Sequence, residues 1–123
     1  MESILTSIKK LLGIAEDYTC FDADIIMHIN SVFMILNQIG IGPEKGFSIA
    51  DNFATWEEFL PTDNKNFEAV KTYMHLKVKL LFDPPQSSTV MECMNRMISE
   101  FEWRLNVEAE QTLGKEENQN GSS

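Results

Sequence analysis

Two cysteines, two histidines and ten basic residues are all that this chain of 123 residues holds of the groups that build disulfides, metal sites and nucleic-acid contacts. Cys20 and Cys93 are too few for a disulfide framework and lack metal-type spacing, so they are expected to be free thiols in a reducing compartment. A bridge between them is the less favoured alternative. His28 has Val32 one turn on and His75 has Lys79, so neither gains a second ligand at i+4. The Glu-x-x-His arrangement of bundle metal sites is also missing. Both histidines are expected to be ordinary helix-surface or boundary residues. Ten bases against nineteen acids leave a formal net charge of -9, which repels phosphate at long range and argues against DNA or RNA binding. A wall past which DNA slides without sticking is compatible with that charge. No apolar run approaches the roughly 20 residues that span a bilayer. The opening MESILTSIKKLLG lacks the basic start, unbroken apolar stretch and small-residue cleavage site of a secretory signal. The expected location is the cytoplasm, or a particle assembled there.

Catalytic patterns are equally scarce. The glycines of GIGPEKG follow a helix instead of a strand, lack the terminal Lys-Ser/Thr of a phosphate loop, and lose a backbone donor at Pro43. Glu57 and Glu58 are sequence neighbours on a short helix and point apart, so they do not form an acid and base pair. Cys93 lies near a helix start but has no supporting histidine, which favours a structural thiol over a nucleophile. No catalytic, metal or cofactor-binding residue is assigned, and the expectation is a protein that is not an enzyme.

What the sequence does hold is helical periodicity. Ile4, Leu5, Ile8, Leu11 and Leu12 share a face of a short helix from Ser3 to Leu12, with Gly13 placed to end it. A second helix follows to about Ile39, with Asp22 as its cap and Phe21 and Ile26 as a staple. Its stripe is Ile25, Ile26, Ile29, Val32, Phe33, Leu36 and Ile39. GIGPEKGFSIADNFAT reads as a glycine-rich loop, with a brief strand pair around Phe47 and Ile49 as an option. Thr55 and Glu58 form a capping-box pair for a short third helix stopped by Pro61. A fourth helix from Phe67 to Phe82 carries two apolar faces, as a central helix touched from both sides would. Thr89 and Glu92 form a capping pair for the fifth, whose buried stripe is Val90, Met91, Met94, Met97, Ile98, Phe101 and Leu105. The expected fold is all-α: a single small bundle of four to five helices with a glycine-rich loop or minor β excursion between helices two and three. Residues 1–106 form the domain, and residues 107–123 read as a polar, acidic, flexible tail. No internal repeat is visible.

Some side chains do not fit a buried stripe. Met27 and Met34 lie opposite the main stripe of helix two, where either a helix of the same chain or a partner would cover them. Trp103 lies on the far side of helix five near Arg96, Ser99 and Val107, and either meets a partner or packs on the chain's own N-terminal part. Met27, Met34, Arg96, Trp103 and Val107 are therefore the candidate subunit or partner contacts. Glu92 with Arg96 and Glu100 with Arg104 are i,i+4 pairs that support the helix. Lys77, between the two apolar faces of helix four, either snorkels or pairs with Asp83 or Asp24. Asp83, Pro84 and Pro85 form a candidate rigid joint, since consecutive prolines fix their own torsions and restrict the residue before them.

The stretches ILTSIKKLLGI, FDADIIMHINSVFMILNQIGIGP, ATWEEFL, VKTYMHLKVKLLFDPPQSS and MISEFEWRLN, in that order, resemble the head-to-tail connector, or adaptor, proteins of tailed bacteriophages and prophages over residues 3–106. This resemblance implies a structural protein that forms a ring under the portal, extends the DNA channel and offers a docking surface to stopper and tail proteins. The implied partners are other copies of the chain, the portal protein and a stopper or tail-completion protein. DNA would pass through without sequence-specific binding, and neither a membrane nor a small-molecule substrate is implied. The implied location is the head-tail junction of the virion, assembled in the host cytoplasm. The alternative is a small acidic helical interaction module, either a host-directed inhibitor or a DNA mimic. Acids scattered through caps and i,i+4 pairs, interrupted by lysines, fit a mimic poorly.

Overall fold

Ser3 opens the first helix by accepting a hydrogen bond from the Thr6 amide at 3.2 Å, and α1 runs over Ile4–Leu11. Gly13 then turns the chain at φ +81°, while the Ile14 amide closes back on the Lys9 carbonyl at 2.9 Å. A computed structural model describes the backbone of residues 2–121 and the side chains of residues 2–110. The remaining elements are α2 (Asp22–Ile39), α3 (Trp56–Phe59), α4 (Phe67–Phe82) and α5 (Ser88–Gly121). The fold is a small all-α bundle, as the periodicity predicts. Among the described residues the sole β feature is an isolated antiparallel bridge between Ser3 and Thr55. No strand pair forms at Phe47 and Ile49; Asn30 on α2 takes the place of a partner strand, accepting from the Ile49 amide at 2.8 Å and donating to its carbonyl at 2.9 Å.

Helix α4 packs against both α2 and α5, the central position that its two apolar faces predict. Val70, Tyr73, Met74 and Val78 are fully buried along it, whereas Leu81 is exposed at its end. The Tyr73 hydroxyl donates to Glu102 at 3.0 Å, and Lys65, just before α4, pairs with Glu108. These two links set α4 and α5 antiparallel, so the joint at residues 83–87 is the tip of a helical hairpin. Each fully buried Ile, Leu or Phe of the core adds about 1.5–3 kcal/mol. Phe33 centres an aromatic cluster with Phe59 at 4.6 Å, Phe47 at 5.1 Å and Trp56 at 6.3 Å between ring centroids. Trp56 closes it by donating its indole N–H to Ser7 at 2.9 Å. Gly42 lies against this cluster at φ +91°, and a Cβ there would stand 2.3 Å from the Phe59 ring, so no larger residue fits.

Three caps differ from expectation. Asp22 is the first helical residue of α2 and not its cap; Phe21 occupies the cap position with no side-chain bond, and its ring contacts Tyr18 and Phe82. Thr55 stands at the cap of α3 with the extended backbone of a cap residue and bridges Ser3, but its side chain makes no capping bond. Ser87, and not Thr89, caps α5, receiving the Val90 amide on its hydroxyl at 3.4 Å and the Met91 amide on its carbonyl at 3.0 Å. Helix α5 also crosses the expected domain boundary after Asn106 without a break. Ala109 is buried and Glu108 is paired with Lys65, so residues 107–110 belong to the bundle. Ser122 and Ser123 of the expected tail lie outside the described residues, as do the side chains beyond Glu110.

Candidate interaction surfaces

Met27 and Met34 are 58% and 63% exposed, so no helix of the bundle covers them. They are seven residues apart on α2 and share its outward face, opposite the buried Ile25, Ile29, Val32 and Leu36. Beside Met34 a shallow groove of about 430 Å³ runs between α2 and the loop after it, lined also by Phe33, Phe47 and Lys45. Its outer wall is held in place by Asn37, which donates to the Pro43 and Glu44 carbonyls at 3.3 Å each.

Trp103 is 67% exposed, so the fold leaves most of its ring to solvent. At about 100° per residue, Arg96, Trp103 and Val107 share the outer face of α5, opposite Ile98, Leu105 and Ala109. Val107 is half-buried, and Arg96 pairs with Glu92 at 3.2 Å. The Glu100 and Arg104 pair is also formed. The five contact candidates thus fall into two groups, Met27 with Met34 and Arg96 with Trp103 and Val107. They face outward from the two helices that flank α4.

The expected buried stripe of α5 is only partly buried. Ile98 and Leu105 are enclosed, Met91, Met94 and Phe101 are half-buried, and Val90 and Met97 are 48% and 43% exposed. These exposed positions lie in the turns of α5 nearest the hairpin tip. At the joint, Asp83 terminates α4, its amide donating to the Lys79 carbonyl at 2.9 Å and its carboxylate pairing with Lys79 at 2.7 Å. That pairing removes Asp83 as a partner for Lys77. Pro84 is exposed and Pro85 half-buried.

Some features have only faint sequence signals. Lys9 is 2% exposed, its ammonium donating to the carbonyls of Glu16 at 3.0 Å and Tyr18 at 2.8 Å and pairing with Asp22 at 2.8 Å. Leu11, expected on the buried face of α1, is instead 56% exposed. The buried face is rotated toward Lys9, about 70° from its centre, and leaves Leu11 about 90° away on the other side. Tyr73, fully buried, has its hydroxyl pKa driven up, first by burial and then by the hydrogen bond to Glu102 and that carboxylate's charge. His75 is shifted down, chiefly by burial and then by Lys79, against a backbone hydrogen bond at Leu11. His28 lies edge-on to Phe82, with centroids 6.4 Å apart. Cys20 and Cys93 are free and exposed, so Cys93 has no structural role in the core. Among the described residues no three His, Cys, Asp or Glu side chains converge on a metal-sized site. No helix among them is long and apolar enough to cross a membrane.

What this geometry offers is surface: outward apolar positions on two helices packed against α4, ordered by a buried core. No curated protein and no solved structure matches the chain significantly. The model of one protein family does match, described as phage connector protein, over residues 4–112. That span takes in all of α1 to α4 and most of α5, so the chain belongs to the phage connector protein family, whose role is structural and whose place is in the virion.

Proposed function

We propose that the protein works as a ring of identical copies docked beneath the portal, where it extends the DNA channel and carries the surface onto which stopper or tail-completion proteins assemble. Membership of the connector family over residues 4–112 is the observation that carries this reading. The arrangement of exposed groups supports it. A closed ring needs two different patches on each subunit, one meeting the other on the next copy. Met27 and Met34 on α2 and Trp103 with Arg96 and Val107 on α5 supply two such patches, one on each of two helices packed against α4. The net charge of -9 suits a conduit that must release DNA. No reaction, cofactor or metal enters this role, and assembly takes place in the host cytoplasm.

Light scattering behind size-exclusion chromatography over a range of concentrations, with electron microscopy in the presence of portal, tests it. The expected outcome is a ring, alone or on the portal. A strict monomer that also ignores portal overturns the reading.

A further inference from the structure

The loop between α1 and α2 is the least expected surface of the molecule. Tyr18 is 50% exposed and Phe21 41% exposed, yet their rings do not stand singly. Tyr18 packs on Phe21 with centroids 5.8 Å apart, and Phe21 packs edge-on to Phe82 at 5.4 Å. The result is a continuous aromatic edge joining the loop to the last residue of α4, directly before the Asp83-Pro84-Pro85 joint. Singly exposed aromatics are common, whereas a contiguous, rimmed aromatic strip marks a contact surface.

The loop's share of the rim has one sign, while His28, edge-on to Phe82 with centroids 6.4 Å apart, borders its other end. Residues 16–24 read EDYTCFDAD, with four acids and no base. Asp22 is neutralised by Lys9, and Asp83 beyond the edge is neutralised by Lys79. Glu16, Asp17 and Asp24 are exposed and form no ion pair among the described residues. The loop is also held rigid from below. The buried Lys9 ammonium binds the Glu16 and Tyr18 carbonyls and the Asp22 carboxylate, fastening both ends of the aromatic segment to α1. A rigid surface loses little entropy when it is bound.

Exposed ring faces beside unpaired carboxylates are the complement of a guanidinium, which stacks on aromatic planes and bridges carboxylates through its planar fork. A phosphate or an anionic membrane would be repelled by the same groups. We propose that the Tyr18–Phe21–Phe82 edge, with Glu16, Asp17 and Asp24, docks an arginine-bearing segment of a partner protein. This surface borders the outward face of α2, since Asp24 stands one turn before Met27, but it lies apart from the outward face of α5 and does not depend on ring formation.

The test is calorimetric titration of the full chain, at about 0.15 M salt to screen diffuse attraction, with two peptides of alternating glycine and arginine or glycine and lysine. The arginine peptide is expected to bind about tenfold tighter than the lysine one, and Tyr18→Ser to remove that margin. Asp17→Asn with Asp24→Asn should weaken binding of both peptides by a similar factor. Asp63→Asn, at the other end of the 16-residue helix α4 and about 24 Å away, should change nothing. Tyr18 is half exposed, and its substitution is checked for native circular dichroism before titration. No binding, equal binding of the two peptides, or an arginine preference that survives Tyr18→Ser in a folded variant would each overturn the proposal, the second by showing attraction to overall charge alone and the third by placing the arginine preference away from the Tyr18 ring.

Discussion

A lysine with 2% of its surface exposed needs a compensating environment, since an unpaired buried ammonium is strongly unfavourable. Lys9 has one in the carboxylate of Asp22 and two carbonyls, all within 3.0 Å. Its removal leaves these oxygens facing an apolar gap, so Lys9→Met is expected to lower unfolding free energy by about 2–3 kcal/mol. That is less than the 3–5 kcal/mol of a fully enclosed pair, because Asp22 is 26% exposed and water can reach it. Urea denaturation measures the loss, and faster amide exchange at residues 16–21 locates it. An unchanged midpoint would mean that the loop holds itself without Lys9. This residue shows why the site was only partly legible in the sequence. Periodicity assigns a lysine beside an apolar stripe to the solvent boundary, and no local signal shows that a loop seven to thirteen residues later returns to cover it. The exposure of Trp103, Met27 and Met34 is legible for the opposite reason: they break a pattern on the outer face of a helix, and the break is visible in one dimension.

At the scale of elements, stripe spacing predicts α1, α2, α4 and α5, the Thr55 and Glu58 pair with Pro61 predicts the short α3, and the two apolar faces of α4 predict its central place. Caps were less legible, because the residue types that cap are also the ones that pair with distant groups. Asp22 is drawn to Lys9, a partner that is not visible locally. The joint behaves differently. Asp83 ends α4 through its own amide and Ser87 begins α5 through its hydroxyl, so the caps lie outside the Pro84-Pro85 pair and survive its loss. The prolines are left with the angle between the helices as their contribution. Pro84→Ala with Pro85→Ala is therefore expected to shift stability by no more than about 1–2 kcal/mol, mostly through the greater freedom of the unfolded chain. In the proposed ring an error in that angle would repeat at every subunit, so assemblies seen by electron microscopy should become less uniform. Uniform assemblies from the doubly substituted protein would reduce the joint to a helix stop.

For the whole molecule, the question is whether the outward face of α5 serves folding or assembly, and one side chain separates the two. Trp103 is 67% exposed in the isolated subunit, so its truncation removes little buried area and should change the stability of the monomer by no more than about 0.5 kcal/mol. At the centre of a subunit contact the same truncation would weaken association by about 2 kcal/mol or more, since tryptophan is prominent among residues that dominate interface energy. A shift of that size is roughly thirtyfold in a dissociation constant at each contact, and a ring multiplies it over every interface. Trp103→Ala should accordingly melt like the parent while assembling only at much higher concentration, as read by thermal denaturation and light scattering on the same samples. Leu105, 2% exposed on the opposite face, is the control, because Leu105→Ala should lower the melting temperature directly. If Trp103→Ala instead melted early and its folded fraction assembled normally, the tryptophan would belong to the fold, and the ring contact on α5 would have to be sought at Val90 and Met97, on the uncovered flank of the hairpin tip.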